Sequence, residues 1–572
     1  MQKVWKASSN DRYSGNPKDL VDLILDYHHI KDKDKFLKGT IEDLSEFDIA
    51  DLDKALGIIK SHKEDLIILM TDYDVDGCMS GVVGYKMLSE LGYKVEITTN
   101  NKFKEGYGLK VENIDRAIDK GAKLIITADN GIAAYEACEY AQGKIDLIIT
   151  DHHEPIPDKY KIPAKAVLDL KLKENENLAF RELCGCGVLW RILSNLYSDK
   201  KEAYKYLGYV AIATVADFVP LIDDNRILVK EGLKLINENP PLAIECFKSL
   251  MGIKEDIDEE IIGFQIAPTI NAVTRMTGSI GKAIQAFISD DEEVIKSNIA
   301  YCINENQLRK QLVLNIMDLM QDDTYINSKN QIIIEKIPYE SSLETSGVVG
   351  LVAGKIKDLN QKPAIIFAEA NNGIMSGSAR SVNGFNLFNF LHDLPDDLFI
   401  NLGGHAMAAG MSIKEENFKK LQEEIYKKSL NFDFKQELNY LIYLKPSEIN
   451  IELIKALESL KPYGASFEKP VFRVAGKPQR IMTLGKESQH SKMIFSNLDV
   501  LAWNMAKKME EENINEYIDC LGKFSINSFR GVDKVNLTVE DIKRVDFSKR
   551  MWTKSRCIRH LLFYIIFIYI LR

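Results

Sequence analysis

Three short apolar runs, each ending in aspartate, restrict this chain more than any other feature. Residues 66–70 (Leu-Ile-Ile-Leu-Met) lead into Thr71-Asp72-Tyr73-Asp74-Val75-Asp76-Gly77. Residues 123–128 lead into Asp129-Asn130-Gly131-Ile132, and residues 146–150 into Asp151-His152-His153-Glu154-Pro155. Runs of this kind read as strands, and stretches with helical spacing lie between them. Candidate strands at 66–70, 95–98, 124–128, 147–150 and 166–168 therefore predict an α/β domain with a doubly wound parallel sheet. In such a sheet ligands gather beyond the carboxyl ends of the strands, so the acidic strand ends form one constellation. A fourth apolar run, 210–216, delivers Asp217 just before Pro220.

The chemistry follows from the residue types. Asp72, Asp74 and Asp76 alternate, and an extended backbone would aim all three at one point. Carboxylates packed so closely repel unless a cation sits between them. Alone, the triplet also fits an acidic calcium-type loop or a solvated turn. Carboxylates combined with one or two imidazoles suit a pair of Mn²⁺ or Mg²⁺ ions holding a nucleophilic water. A tandem histidine pair at a strand end beside carboxylates points to metal or phosphate chemistry. His28-His29, in a charged helical context, reads as surface.

These residues carry a resemblance. Asp72–Gly77 (Asp-Tyr-Asp-Val-Asp-Gly), Ala-Asp129-Asn-Gly, Thr-Asp151-His-His and Thr-Val-Ala-Asp217 resemble the four motifs of the DHH phosphoesterase superfamily. The six-residue first motif, with Ala-Asp217-Phe-Val-Pro-Leu and Gly403-Gly-His-Ala-Met-Ala-Ala-Gly410, resembles its RecJ branch. The likeness spans residues 66 to 544. It implies a 5′-to-3′ exonuclease of single-stranded DNA that releases 5′-mononucleotides in repair and recombination, with two Mn²⁺ or Mg²⁺ ions. On that likeness the metals share Asp129, with Asp74 and Asp76 on either side, His152 and Asp217 completing the set and Asp72 as a further ligand. Asp76, Asp129, His152 and His153 carry the catalysis, His153 facing the phosphate. Implied partners are a single strand with a 5′ end, a single-strand-binding protein and a helicase, with the chain a monomer.

The second half supplies the substrate side. Residues 290–320 have the pattern of a long connector helix. Lys102, Arg275, Ser378, Arg380 and His405 are candidate phosphate ligands, the last three in a second α/β domain that resembles the DHH-associated domain. Glycines at 403–410 read as a strand-to-helix junction that exposes backbone N–H groups to an anion. Relative to the family, Asp169-Leu170 replaces Asn-Pro at a place read as remote from the ligands. Thr269 replaces an arginine, Val273-Thr274 replace Ala-Gly, and Ser346 replaces a histidine. After residue 440, short strands with interleaved cations and aromatics suggest an OB-fold barrel. There Phe472, Lys492, Phe495, Trp503 and Arg530 are candidates for binding a single strand.

The 572 residues then divide into a helical lead-in packed on the first catalytic strand (1–60), a catalytic domain (61–226), a helical connector (227–327), the substrate domain (328–436), the barrel (437–547) and a tail (548–572). A net charge of −10 excludes a broadly basic surface but not a local basic groove. Eight scattered cysteines lack zinc-site spacing, Cys184-Gly185-Cys186 included, and no secretory signal opens the chain, so a reduced, cytoplasmic protein is expected. The apolar end, 561–571, is shorter than the ~20 residues that span a bilayer. It reads as an interfacial anchor, a buried strand or an irregular end of the reading frame, and no stable membrane association is expected. Two rival functions remain: a DHH phosphoesterase for short oligonucleotides or cyclic dinucleotides, and a non-catalytic DNA-binding scaffold.

Overall fold

The structure is a computed structural model. It describes residues 3–544 except 157–161, 321–329, 338–342, 371–372, 433, 435–436 and 530. The candidate Arg530 and the tail 548–572 lie outside the described residues. The chain forms two units: one comprises Asp34–Phe434 with Gly464–Phe467, the other the chain up to Lys33, Lys435–Tyr463 and the chain from Glu468.

The larger unit begins with five parallel strands, β1 (Leu66–Thr71), β2 (Lys94–Thr99), β3 (Leu124–Ala128), β4 (Asp146–Asp151) and β5 (Ala166–Asp169). Their order is β2-β1-β3-β4-β5. The winding reverses between β1 and β3, so a crevice opens at the carboxyl ends of those two strands. Helix α1 (Val75–Glu90) is buried almost all round, as a helix without a polar face must be. It crosses the sheet closely because Gly84 lacks a side chain: a Cβ there would stand 2.8 Å from Leu69 and 3.0 Å from Leu189. Leu189 belongs to α2 (Gly185–Ser194).

The run 210–216 is not a strand. It forms helix α3 (Leu207–Ala216), eight of whose ten residues are buried, and Asp217 is its C-cap. Continuous apolar character fits a buried helix as well as a buried strand, and here Gly208 and alanines favour close helix packing. Gly232 of α4 (Asp223–Glu238) lies against it, with an added Cβ 2.4 Å from the Leu207 carbonyl and 2.5 Å from Ala211. Helices α5 (Ala267–Thr277) and α6 (Glu292–Leu319) follow, α6 being the expected long connector. Nearby, Arg226 is 1 % exposed and lies 3.8 Å from the Phe36 ring and 5.3 Å from the Phe467 ring.

The substrate domain of the same unit contains β6 (Ile333–Lys336), α7 (Leu343–Asn360), β7 (Ala364–Ala370), β8 (Ile374–Arg380), β9 (Asn401–His405) and β10 (Ala408–Lys414). Its sheet runs β9-β10-β8-β7-β6. The glycines at 403–410 sit in a β9–β10 hairpin, not at a strand-to-helix junction. Gly404, at φ +142°, lets the hairpin close, since a Cβ would stand 2.4 Å from the Ala408 carbonyl.

In the smaller unit, strands β11 (Tyr443–Leu444), β12 (Phe472–Gly476), β13 (Arg480–Leu484), β14 (His490–Ile494), β15 (Leu498–Ala502), β16 (Ile518–Phe529) and β17 (Val532–Arg544) form one sheet, ordered β11-β12-β16-β17-β15-β14-β13. Val4–Ala7 pairs in parallel with Glu437–Tyr440, and Trp5 donates from Nε1 to Asp541 at 2.7 Å. The lead-in expected over 1–60 therefore parts in two. Only its second half, with Ala55, Leu56 and Ile59, joins the core around β1. The helical spacing at 20–25 does form a helix, Pro17–Tyr27, but it packs on the helix Ile451–Glu458 of the smaller unit, and Val4–Ala7 pairs there as a strand.

Gly232→Ala should overpack the α3–α4 crossing and cost about 1–3 kcal/mol. Thermal unfolding checks this; an unchanged midpoint would mean that the crossing has slack.

Candidate metal centre and phosphate pocket

The carboxylates reach the β1/β3 crevice by different backbone routes. Asp72 follows β1 directly and is 9 % exposed. Asp74 caps α1, its carboxylate accepting the Gly77 N–H at 3.0 Å. Asp76 lies in the first turn of α1, 1 % exposed, and accepts the N–H groups of Gly185 (2.6 Å) and Cys186 (2.8 Å). The three therefore converge through a strand-to-helix turn rather than an extended backbone. The start of α2 supplies those N–H donors, where a helix favours negative charge.

Asp129, 2 % exposed, has left-handed backbone at φ +65°. Asn130 holds this turn by donating to the Met70 and Ala128 carbonyls, both at 3.0 Å. Gly185 makes room for it: a Cβ there would stand 2.6 Å from the Asp129 Cβ. His152 Nε2 lies 3.1 Å from Asp129, 3.7 Å from Asp217 and 3.8 Å from Asp76. Burial first, and then the His153 charge, push the His152 pKa down to about 4, so these approaches are not ion pairs. The ring hydrogen-bonds the Leu183 backbone, while the buried Nε2 has no hydrogen-bond partner. That combination presents a neutral imidazole nitrogen as a ligand.

Burial and mutual repulsion act on the carboxylates together. Burial first, with Asp74 next, raises Asp72 to about 8 and Asp76 to about 7. Burial, then Asp76, raises Asp217 to about 8, and the same two causes push Asp129 well above the ordinary carboxylate range. Ligand atoms of Asp72, Asp74 and Asp129 lie within 4.8 Å of one another, as do those of Asp76, His152 and Asp217, and those of Asp129, His152 and His153. Oxygen ligands with an imidazole fit hard divalent ions such as Mn²⁺ or Mg²⁺.

His153 differs from its neighbour. Burial lowers its pKa, but the hydrogen bond and charge of Asp151, 2.7 Å away, outweigh this and set it at about 9. It is therefore a cation at neutral pH. Asp151 escaped the sequence reading as a site residue; it is 1 % exposed and also accepts the Ile132 and His152 N–H groups. Its ladder partner is Asp169, so that departure is not remote from the ligands as expected. Burial raises the Asp169 pKa to about 7. Tyr107 was also missed; its hydroxyl lies 3.4 Å from His153 and from the Asp129 carbonyl.

Arg275, in the same unit, feels the charges of both Asp74 and the substrate domain's Arg380. Arg275 of α5 donates to the Gly347 carbonyl at 3.4 Å, and Arg380 of β8 to Ser378 Oγ and the Ala379 carbonyl, both at 2.9 Å. Arg309 of α6, absent from the sequence candidates, donates to Asn306 at 3.1 Å. Burial, followed by the charges of Arg309 and Arg380, lowers the Arg275 pKa. Three guanidiniums thus crowd together while their hydrogen bonds go to neutral groups. Gly350 of α7 permits it, since a Cβ there would stand 2.7 Å from the Arg380 guanidinium. Thr269, where an arginine was expected, is buried and accepts from Asn306 at 2.9 Å. Lys102 adds a cation, its pKa lowered to about 8 by burial and then by Arg275. His405 is exposed, two strands from Arg380 in register through Ala408 and so on the same sheet face.

In the smaller unit two candidates fail. Phe472 is 1 % and Phe495 5 % exposed: strand alternation turns Phe472 inward onto Phe524, and Phe495 is buried at the turn between β14 and β15. Trp503 is 47 % exposed beside His490, and Lys492 pairs with Asp499 at 2.7 Å. Cross-strand register sets Arg480, His490, Lys492, Lys523 and Lys534 on one outward sheet face.

The raised carboxylate pKa values have a consequence for stability. The folded chain keeps protons on groups whose ordinary pKa is 3.8, so their stabilisation is full below that value and is lost as pH rises to about 8. Asp129→Asn keeps a residue that tolerates left-handed backbone and removes one carboxylate. In chelator it should unfold at a higher temperature than the parent, the gap widening from pH 5 to pH 8. Mn²⁺ should then stabilise the parent more than the variant. Equal stability in chelator and equal gain from Mn²⁺ would refute the shared-ligand assignment.

Known families and relatives agree with this architecture. Residues 66–214 match the DHH family N-terminal domain, 329–428 the DHHA1 domain and 442–541 the RecJ OB domain. The single-stranded-DNA-specific exonuclease RecJ of Haemophilus influenzae is 27 % identical, over 92 % of this chain and 96 % of its own. The crystal structure of RecJ from Thermus thermophilus in complex with Mn²⁺ superposes with a TM-score of 0.80 at 22 % identity, covering 95 % of this chain and 80 % of that one. A crystal structure of exonuclease RecJ bound to manganese gives 0.57 at 25 % identity, covering 68 % and 96 %. Three successive domains in one order over most of the sequence leave a single assignment: this chain belongs to the RecJ family of DHH phosphoesterases.

Proposed function

We propose that this chain is a metal-dependent 5′-to-3′ exonuclease that degrades single-stranded DNA to 5′-mononucleotides, acting in DNA repair and recombination. The observation that carries the reading is the juxtaposition, in one unit, of the carboxylate–histidine centre with the Arg275–Arg309–Arg380 cluster. Relatives named RecJ are single-stranded-DNA-specific exonucleases, and two crystal structures of proteins named RecJ have manganese bound. Two Mn²⁺ or Mg²⁺ ions would be held by Asp72, Asp74, Asp76, Asp129, His152 and Asp217. Such ions supply Lewis-acid polarisation of a phosphate and acidify a water.

The chain's own groups do the rest. Cationic His153, held by Asp151, donates to a non-bridging oxygen of the scissile phosphate. Arg275, Arg309 and Arg380 with Ser378 take the terminal 5′-phosphate, while Lys102 adds positive charge. A terminal phosphate held beyond the cleavage point sets the polarity of attack and the length of the product. The outward face of the OB domain, with Trp503, Arg480, His490, Lys492, Lys523 and Lys534, tracks the following strand by stacking and charge. The domain limits 61–226, 227–327, 328–436 and 437–547 belong to this reading. So do a monomeric state, a cytoplasmic location, and a single-strand-binding protein and a helicase as partners. Among the described residues no helix is long and apolar enough to cross a membrane.

The deciding experiment compares a long single strand, a duplex and a dinucleotide, each with Mn²⁺ and with chelator. Mn²⁺-dependent release of mononucleotides from the long single strand alone is expected. Preference for the dinucleotide would favour the small-substrate phosphoesterase, and no hydrolysis the non-catalytic scaffold. Arg380→Ala should lower kcat/KM on a 5′-phosphorylated strand by roughly 10- to 100-fold, the worth of a hydrogen bond to a charged group. It should spare a 5′-hydroxyl strand, and equal losses on both would show that Arg380 does not read the end.

A further inference from the structure

The two most exposed aromatic rings among the described residues are Phe218, next to Asp217, and Phe264, on a turn that packs against the helix ending at Asp217. Phe218, 71 % exposed, directly follows Asp217 and sits at φ +59°, left-handed backbone that strains a bulky side chain. Phe264, 80 % exposed, stands on a π turn, Ile262–Ile266. Turns of this kind inside helices gather at functional sites. The π turn packs on α3, with Gly263 over Val215: a Cβ at Gly263 would stand 3.9 Å from the Val215 side chain. Both rings are thus carried at the end of α3 that terminates in Asp217.

Their surroundings hold the backbone without covering the rings. Leu221 is 2 % exposed and its N–H donates to the Ala465 carbonyl at 2.7 Å, which secures the turn containing Phe218. Ile262 and Ile266 are fully buried and pin the π turn at both ends. Two unusual backbone stretches therefore present large apolar surfaces to water beside one site, against the ordinary drive to bury them. Strained segments of this kind persist where function requires them.

We propose that Phe218 and Phe264 form a base-stacking platform for the nucleotides next to the scissile phosphate. This rests on the nuclease reading above. Phosphates there are met by His153 and the arginines, which leaves the bases as the flat apolar part of the strand still to be bound. Every base offers a π face, so stacking holds a strand regardless of sequence. In a duplex those faces are already stacked, so the platform also favours single strands.

Fluorescence anisotropy tests this, with Ca²⁺ as the divalent ion and a short 5′-phosphorylated oligothymidylate. The same strand with abasic residues in its first three positions is the comparison. Phe218→Leu and Phe264→Leu keep an apolar side chain and lose the ring; both should retain the parent's unfolding midpoint. Each should weaken binding of the intact strand by about tenfold, within the range for stacking on one aromatic side chain. Neither should weaken binding of the abasic strand further, and Phe264→Trp should restore affinity. Equal losses on the two strands, or none on the intact one, would overturn the platform. A parent that binds the strand but does not cleave it with Mn²⁺ would sink the nuclease reading instead, leaving the platform to be judged by the binding ratios.

Discussion

Repulsion among buried carboxylates is the constraint on which this structure depends. Asp72, Asp76, Asp129 and Asp217 lie at one crevice, and all four are pushed above the ordinary carboxylate range. Folding tolerates the crowd because its supports are themselves fixed. The first N–H groups of α2 point at Asp76, and Asn130 ties the ends of β1 and β3 together. Missing side chains matter as much as present ones: a methyl group at Gly185 would displace Asp129. A site preorganised in this way is costly without cations and well adapted to receiving them.

The same economy of small residues shapes the positive side. Gly350 allows the Arg380 guanidinium to lie against α7. Gly347 allows that helix to meet α5, since a Cβ there would stand 1.9 Å from the Arg275 carbonyl. Thr274 of α5 donates to the Tyr73 carbonyl at 2.6 Å, so the helix that carries Arg275 is also bonded to the aspartate loop. Carboxylate and guanidinium clusters thereby share one rigid element, and a phosphodiester needs both: cations to bind its charge and ligands to activate it.

Within the histidine pair, one difference of surroundings separates two roles. His152 is buried among groups that leave Nε2 neutral and unpartnered, whereas His153 is clamped by Asp151 and charged. Identical side chains one residue apart thus become a neutral imidazole and a cation. Their rings lie only 4.4 Å apart beyond the end of β4, so the split follows from the partner each ring meets.

Much of this was legible in the sequence. Continuous apolar runs ending in aspartate identified the parallel sheet and the face that carries the site, because hydrophobic burial and strand polarity are local properties. Glycines at 403–410 read as a strand-to-helix junction, whereas they form the β9–β10 hairpin. What the sequence could not determine depended on partners far away in the chain. Periodicity did not separate the buried helix α3 from a strand, and strand alternation around Phe472 acquired an inside only when the sheet formed. Arg309 became a site residue only when α6 carried it to Arg275, and Asp169 became relevant only when its strand paired with that of Asp151. Residue types fixed which chemistry was available; tertiary packing decided which groups share a dielectric environment, and therefore which of them carry charge.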